Sequence, residues 1–454
     1  MATIAAFGVV AVLSFENDLK GRLSQTIGIA VLLGTGGLAY ALFLLALLGV
    51  KPTRWPFVTV CVLGLAGSVY LYRKRKLSVV QAGIASLDVD RRRHSGAGWL
   101  MILLIVLQVI VVVQSLALPV YEWDAFAIWA LKAKVVAFQG IVPRPSYFTD
   151  RSLSYSHLDY PLMVPFLMAG VYGVLGHVND QAAKLFLPVL YFGLTCIVFG
   201  FAKRRISICM AVALTALVVG APVMLRWAGS GNADMPLAAF CTAAVICMLE
   251  WDENNDWHSS VLCGIFSAFA AFTKNEGLAI GILICLGMFA LAIGRGESKR
   301  RVKGAFWGAF VFLLLVWPWL VWSSEIPRTH ENYLAHFQLA VVAGNAFRVP
   351  IILGEFARQI VSLERYGLLW IVVLFFAAIG WRAFRERTTV IVWSFLLVQL
   401  SVYALVFLVT PWDVREHLKF ALDRLFLHVA PLGGLLIAIH YPSQPQRPPV
   451  VCSD

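Results

Sequence analysis

Charged and aromatic residues directly follow a long apolar run in the stretch YEWDAFAIWALKAK, residues 121–134. Two of them are the carboxylates Glu122 and Asp124, and Trp129 and Lys134 lie farther along. A carboxylate beside a substrate hydroxyl can act as a general base, and a lysine can hold a phosphate. We therefore predict a catalytic role for Asp124 and substrate binding by Glu122, Trp129 and Lys134.

The same stretch has a structural interpretation. Tryptophan collects at membrane–water interfaces, where lysine side chains extend their charge into the water. Trp129 can therefore stack on a sugar or anchor an interfacial helix, and Lys132 and Lys134 can contact a phosphate or only reach the interface. Asp124 fits this interpretation less well, because a carboxylate costs about 2.5–3.5 kcal/mol near mid-bilayer and usually faces a polar cavity.

Two further motifs carry polar side chains next to apolar runs. SHLDYPLMVP contains His157, Asp159 and Tyr160, and AFTKNEGLAI places Lys274 and Glu276 between two apolar segments with almost no loop. Lys274 can bind a lipid-linked phosphate as a point charge. The alternative is an ion pair in which Lys274 and Glu276 neutralise each other. We predict substrate binding by all five residues.

Asp234 lies where the glycine-rich turn of GSGNADMPLAAF leads into an apolar run. Asparagine and aspartate commonly cap helix N-termini, and helix N-termini also favour anions. A capping role and a role in site chemistry are therefore both open. We predict Asp234 as a second catalytic carboxylate.

The last polar motif is TPWDVREHLKFALDRLFLHVAP, which precedes and begins the final apolar run. Its helical spacing places His417 on one face with Asp413, and Asp423 on one face with Lys419. Arg424 can grip a phosphate through two parallel hydrogen bonds. A solvated interfacial helix held by ion pairs explains the motif equally well. We predict substrate binding by His417, Asp423 and Arg424.

The composition is that of an integral membrane protein, most of whose surface contacts lipid. Of its 454 residues 60% are hydrophobic and 14% are charged, and the mean hydropathy is +0.79. The net charge of +12 is concentrated in short clusters between apolar runs, which is typical of membrane topology signals and not of nucleic-acid binding. The eight cysteines include no CxxC pair and indicate neither a disulfide framework nor a zinc site.

Twelve apolar runs are long enough to predict membrane-spanning helices, and two more are marginal. The fold class is therefore all-α, a polytopic transmembrane bundle of about 12–14 helices with interfacial helices in a long first outer loop. The predicted spans are 26–49, 56–72, 97–118, 184–201, 206–224, 235–250, 258–272, 276–294, 304–323, 367–381, 388–410 and 424–440, and the marginal ones are 1–15 and 160–176.

Five basic clusters set the expected orientation. The positive-inside rule places them in the cytoplasm, and the motifs described above then share the outer face. The clusters are RKRK 73–76, RRR 91–93, KRR 203–205, RGESKRRVK 295–303 and WRAFRER 381–387. Successive spans must alternate between the two sides of the membrane, which requires an odd number of crossings between residue 118 on the outside and residue 203 on the inside. Segment 160–176 therefore should not cross the membrane, and we predict it to be re-entrant or tilted. The acidic residues Asp252, Glu253 and Asp256 fall on the cytoplasmic side, and we interpret them as a solvated loop.

The motifs WDAFAIWALKAK, HLDYPL, GNADMPLAAF, TKNEG and HLKFALDRL occur in an order that resembles the GT-C superfamily of integral-membrane glycosyltransferases. The resemblance includes bacterial lipid A aminoarabinose and uronic-acid transferases and protein O-mannosyltransferases. It covers roughly 97–440, after added N-terminal helices in 1–80 and before a disordered tail at 441–454. It implies a polyprenyl-phosphate sugar donor, inversion at the sugar and Asp124 as the base.

The chain departs from parts of this superfamily. It lacks a large C-terminal outer domain and a WWDYG-like motif, and Glu122 and Asp124 are two residues apart instead of adjacent. We therefore expect an envelope glycan or lipid as acceptor more than a protein. A divalent metal is possible, but we predict no metal ligands and no certain cofactor.

The expected location is the bacterial inner membrane, with the site facing the periplasm. Two other functions remain open at this stage. One is a transporter or flippase of lipid-linked sugars, although such proteins usually place polar residues near mid-membrane in repeated halves. The other is a glycan ligase or polymerase.

Overall fold

The computed structural model describes residues 22–74, 95–294, 299–328 and 333–441, and all regular structure in these ranges is helical. The α-helices are α1 (Leu23–Leu47), α2 (Arg54–Lys74), α3 (Ser95–Ala117), α4 (Leu131–Gln139), α5 (Met163–Leu175), α6 (Asp180–Ala183), α7 (Phe186–Lys203), α8 (Ile208–Val219), α9 (Pro222–Ala228), α10 (Asp234–Asn254), α11 (Trp257–Thr273), α12 (Asn275–Gly294), α13 (Lys299–Ser323), α14 (Tyr333–His336), α15 (Leu339–Gly344), α16 (Val349–Val361), α17 (Leu363–Tyr366), α18 (Leu369–Ile379), α19 (Arg387–Val409) and α20 (Val414–His440). A π-helical segment, Ala125–Ala130, precedes α4.

The prediction of an all-α polytopic bundle is confirmed. Within the described ranges, eight helices are long and apolar enough to cross a membrane, or nine if α8 and α9, which meet at a 65° bend, form one span. Helices are expected here because every backbone amide in lipid needs a partner within its own segment. Three predicted spans correspond to shorter apolar helices, which are Arg54–Gly67, Trp257–Thr273 and Leu369–Ile379, and the marginal segment 160–176 corresponds to a fourth, Met163–Leu175.

Helix α10 forms the centre of the bundle. Its apolar window is entirely buried, and α7, α11 and α20 pack against it. By contrast, only 22% of the window in α3 is buried, so that helix lies at the periphery. The residue at the start of α10, Asp234, consequently lies at the end of a helix that is buried along its whole apolar length.

One end of the bundle, which we call the basic end, contains the described basic clusters and an acidic run, residues 250–256, at the C-terminal end of α10. Glu250 accepts hydrogen bonds from Arg22 and Arg204 at 3.2 and 2.6 Å. Asp252 accepts hydrogen bonds from Arg387 at 2.9 and 3.1 Å. These acids balance the arginines of neighbouring helices.

The other two acids of this run also have structural roles. Glu253 pairs with Arg205 at 3.1 Å, and Asp256 caps the start of α11 through the amides of His258 and Ser259. The prediction of a solvated loop is wrong for these residues, because Asp252 and Glu253 lie in α10 and pair with arginines, and Asp256 caps α11.

Segment 160–176 begins and ends on the same side of the bundle. It forms α5, whose 13 residues would extend only about 20 Å, less than the thickness of a hydrocarbon core. Beyond its C-terminal end, Asp180 accepts hydrogen bonds from Tyr172 and from Lys134 of α4. Lys184 in turn donates to the carbonyl oxygen of Leu118, directly after α3. This geometry agrees with a segment that does not cross.

Some sequence predictions lie outside the described residues. They are the marginal span at 1–15, the cluster at 91–93, most of the tail at 441–454 and parts of the clusters at 73–76 and 295–303.

We expect glycine to be required where α11 and α13 approach each other. A Cβ atom at Gly264 would lie 2.2 Å from the carbonyl oxygen of Gly308, so Gly264→Ala must push two backbones apart. We predict a loss of about 1–3 kcal/mol in unfolding free energy, measured by thermal unfolding in detergent. Gly287→Ala is the matched control, because its Cβ would meet only Met248 Sδ at 3.8 Å. Equal stability of the two variants would contradict the close approach.

Candidate active site

Five charged side chains from four separate segments form a chain of alternating charge at the end of the bundle opposite the basic end. In order they are Asp124, Arg424, Asp234, Lys274 and Glu276. Nη1 of Arg424 donates to Oδ2 of Asp124 and lies 4.0 Å from Oδ2 of Asp234. Nζ of Lys274 lies 2.9 Å from both Oδ1 of Asp234 and Oε1 of Glu276. We call this set the charge chain.

The local backbone explains how the charge chain is assembled. Asp124 precedes the π-helical segment, Asp234 is the first residue of α10, and Arg424 lies in α20. Lys274 is the single extended residue between α11 and α12, which directs its side chain out of both helices. The turn before α10 includes Gly231 with φ +100°, a conformation that glycine adopts without strain.

Asp234 is fully buried and does not cap α10. The capping position is Ala233, and no side chain caps it. The Oδ1 atom of Asp234 instead accepts hydrogen bonds from Lys274 at 2.9 Å and from Nε2 of His428 at 3.0 Å. Its burial means that a substrate cannot reach Asp234 in this conformation, so the structure favours a positioning role over the predicted catalytic role.

Asp124 is the more exposed of the two partly accessible carboxylates of the charge chain. Its side chain is 27% exposed, that of Glu276 is 24% exposed, and that of Arg424, the partner of Asp124, is 17% exposed. The guanidinium has five N–H donors, and its only hydrogen bond to a side chain in the described part of the protein uses Nη1. Asp124 can therefore accept a proton while Arg424 binds oxygen atoms.

Glu122 holds a second arginine close to the first. Arg226, 58% exposed, donates to Glu122 at 3.1 Å, and Arg226 and Arg424 lie 4.8 and 5.5 Å from the centre of the Trp227 ring. Glu122 thus holds Arg226, and Asp124 holds Arg424, with both arginines beside the ring of Trp227. Sequence reasoning missed Arg226 and Trp227, although both lie in the motif LRWAGSGNAD.

A groove lies beside Arg226. It has a volume of about 400 Å³ and runs between the end of α3 and the bend from α8 to α9. Its wall includes Leu118, Tyr121, Leu225 and Arg226. Since α3 is exposed along most of its length, the groove opens toward the space that lipid would occupy.

The residues of HLDYP lie beside the charge chain. His157 is close enough to Asp124, Lys274 and Glu276 for their charges to act on it, and its ring lies 4.6 Å from that of Tyr160. Burial, followed by the positive charge of Lys132, lowers the pKa of His157 to about 4, so the ring is neutral at pH 7.

Buried Lys132 holds this segment in place. Its Nζ donates to the carbonyl oxygens of Ser156 and His157 and lies 5.8 Å from the centre of the Tyr160 ring. Burial lowers its pKa to about 7, although the charge of Asp159 acts in the opposite direction. The side chain of Lys132 is fully buried and its ammonium group is bonded to the backbone, which contradicts the interfacial position considered for it.

Two other residues predicted from the first loop point away from the charge chain. Trp129 is buried against Tyr160 and is not available to stack on a sugar. Lys134 pairs with Asp180 at 2.9 Å. The predicted interfacial helix is also largely buried, because the π-helical segment and α4 pack into the core.

The other two residues predicted from the last motif have structural contacts. His417 lies 2.9 Å from the hydroxyl of Thr410 and packs on Phe407. The carbonyl oxygen of Asp423 accepts a hydrogen bond from Tyr366. Of the three residues predicted here, only Arg424 belongs to the charge chain.

Lys274 and Glu276 form the ion pair that was one of the two sequence interpretations, and Asp234 shares the lysine. Burial alone would lower the pKa of Lys274. The negative charges of Asp234 and Glu276 lie so close, however, that the pKa is raised. The lysine is therefore charged at pH 7. A binding role for Lys274 would require a substrate to compete with two carboxylates.

The carboxylates of the charge chain are poorly suited to a metal ion. Each one is already paired with a cationic side chain. The described part of the chain contains no group of three or more His, Cys, Asp or Glu side chains placed to hold a metal. We derive no reaction step through a metal.

Comparison with known proteins gives one family match. Residues 159–322 match the family described as dolichyl-phosphate-mannose-protein mannosyltransferase. The matched segment contains Asp234, Lys274 and Glu276 and excludes Asp124 and Arg424. It supports a membrane glycosyltransferase of the GT-C type. No curated protein and no solved structure shows significant similarity to the chain.

The lowered pKa of Lys132 predicts a pH dependence of stability. The unfolded chain binds this proton more tightly than the folded protein does, so stability should rise with pH above about 7. Relative to Lys132→Met, the wild type should gain thermal stability between pH 7 and pH 9. Lys51→Met, which removes an exposed lysine bonded to the Phe138 carbonyl oxygen, is the control. If the difference in thermal stability between the wild type and Lys132→Met does not change with pH, the lowered pKa of Lys132 is wrong.

Proposed function

We propose that this protein transfers a sugar from a polyprenyl-phosphate donor to a hydroxyl of an envelope glycan or lipid, with Asp124 as the general base. The observation that carries the proposal is the pair of first-loop acids, Glu122 and Asp124, each holding one arginine beside Trp227. The family match over residues 159–322 supports the same class of reaction.

The donor fits the two arginines and the adjoining groove. Its prenyl chain enters the groove from the lipid side, and its phosphate lies between Arg226 and Arg424. Guanidinium groups bind phosphate through paired, charge-assisted hydrogen bonds. The charge chain has three carboxylates and two cations, and Arg226 is balanced by Glu122. The phosphate is therefore held by the N–H groups of the two guanidinium groups and not by a net positive charge.

The transfer step follows from these positions. The acceptor oxygen attacks the anomeric carbon, its proton moves to Asp124, and the bond from that carbon to the phosphate oxygen breaks. A single displacement of this kind inverts the anomeric configuration. Polyprenyl phosphate leaves with an added negative charge, which Arg226 and Arg424 stabilise as it develops.

The proposed location is the bacterial inner membrane, with the charge chain facing the periplasm. The described basic clusters at 203–205 and 381–387 lie at the opposite end, which the positive-inside rule assigns to the cytoplasm. The family name includes a protein acceptor, whereas the spacing of Glu122 and Asp124 favours a glycan or lipid.

The base assignment is tested with Asp124→Asn. Because general-base catalysis contributes about 10²–10⁴-fold, turnover should fall by that factor. The assay follows release of polyprenyl phosphate from a panel of labelled polyprenyl-phosphate sugars, beginning with mannose, by purified protein in liposomes with envelope extract as acceptor. Asp413→Asn is the control, since asparagine also caps α20.

Wild-type turnover by Asp124→Asn would remove the base assignment. Failure of the wild type to consume any donor, combined with movement of the donor between leaflets, would favour the transporter instead.

The phosphate assignment is tested with Arg226→Gln and Arg424→Gln. Each variant loses a charge-assisted hydrogen bond, so the KM for donor should rise about 10–100-fold. Arg358→Gln removes an arginine from an exposed pair with Glu355 and should leave the KM unchanged. An unchanged donor KM in both site variants would contradict the proposed phosphate position.

A further inference from the structure

Two buried polar side chains extend from the charge chain into the helix bundle. His428 of α20 and Tyr403 of α19 are fully or almost fully buried. The Tyr403 hydroxyl lies 3.1 Å from Nδ1 of His428, and Nε2 of the same ring lies 3.0 Å from Oδ1 of Asp234. Proton transfer by Asp124 requires neither residue, and no sequence motif suggested Tyr403.

The direction of both hydrogen bonds follows from the charge of Asp234. Next to Lys274 and Arg424, Asp234 is an ionised carboxylate and can only accept. Nε2 of His428 must therefore donate, and a neutral ring then has an acceptor at Nδ1. The Tyr403 hydroxyl donates to it and fixes the tautomer. A third buried cation beside Lys274 and Arg424 would be costly, which favours the neutral ring.

The two oxygens of Asp234 are used unequally. Oδ1 accepts from both Lys274 and His428, whereas Oδ2 has no hydrogen-bond partner and lies 4.0 Å from Nη1 of Arg424. The donors on Oδ1 thus hold the carboxylate back from Arg424. Without His428, Asp234 can rotate toward Arg424 and compete with Asp124 for its guanidinium.

We propose that Tyr403 and His428 form a hydrogen-bonded relay that fixes the orientation of Asp234 and thereby keeps Arg424 on Asp124. Both are positioning residues, since neither touches the substrate. This inference rests on the proposed function only for its effect on turnover. The hydrogen-bond directions stand independently of that function.

The relay predicts a specific pattern of turnover. His428→Leu should lower kcat/KM for the polyprenyl-phosphate donor about 10–100-fold, the effect of losing a hydrogen bond to a charged group. His428→Gln restores an N–H donor and should recover kcat/KM to within about threefold of the wild type. Tyr403→Phe should lower kcat/KM about 3–10-fold in the wild-type background and have no further effect when combined with His428→Leu.

A matched control separates positioning from packing. Tyr191 is also buried and donates to a backbone carbonyl, that of Val219, at 2.9 Å. Tyr191→Phe should therefore reduce thermal stability as Tyr403→Phe does, without lowering kcat/KM. Additive effects of Tyr403→Phe and His428→Leu on kcat/KM, or no rescue by His428→Gln, would overturn the relay.

A spectroscopic measurement tests the relay without turnover. Solid-state NMR of nitrogen-15 histidine-labelled protein in lipid reports the protonation of each ring nitrogen, and His428→Gln identifies the resonance. A neutral ring with its proton on Nε2 is expected at pH 7. A proton on Nδ1 alone, or on both nitrogens, would overturn the relay. If the wild type transfers no sugar, the proposed function fails and this measurement alone decides the inference.

Discussion

The structure of the site depends on the charge chain that joins the first loop to the centre and the last helix of the bundle. Buried charges are tolerated only when they are paired, and removing one partner from a buried pair typically costs about 3–5 kcal/mol. Asp234 at the start of the most buried helix is the fixed point, because Lys274 holds it from the junction of α11 and α12 and His428 holds it from α20. Arg424 then extends this fixed arrangement to the accessible Asp124.

The two ends of the bundle use similar residues for different purposes. At the basic end, the carboxylates of Glu250 and Asp252 are balanced by arginines from neighbouring helices, and these contacts fix the packing. At the other end, Asp124, Arg226 and Arg424 remain partly exposed beside a groove. Partly exposed ion pairs also occur at the basic end, where Arg205 and Glu253 border a cavity of about 680 Å³, so the proposed site rests on the two first-loop acids and their arginines and not on exposure alone.

Sequence patterns predicted the helical bundle and the segments that meet at the site, because apolar length and flanking charge are properties of the chain itself. They also identified Asp124, Asp234, Lys274, Glu276 and Arg424 as residues of interest. They could not predict that Trp129 is buried or that Lys134 pairs with Asp180, because both depend on how α4 packs against other helices. His428 was detectable in principle, since it lies one helical turn after Arg424 on the same face of α20.

A cryo-EM structure in lipid nanodiscs with a phosphonate analogue of a polyprenyl-phosphate sugar tests the proposed site most directly. We expect a phosphonate oxygen within hydrogen-bond distance of Arg424 and Arg226, the prenyl chain in the groove beside α3, and the anomeric carbon facing Asp124. An analogue bound at the basic end, or one whose phosphonate group contacts neither arginine, would contradict the proposed site.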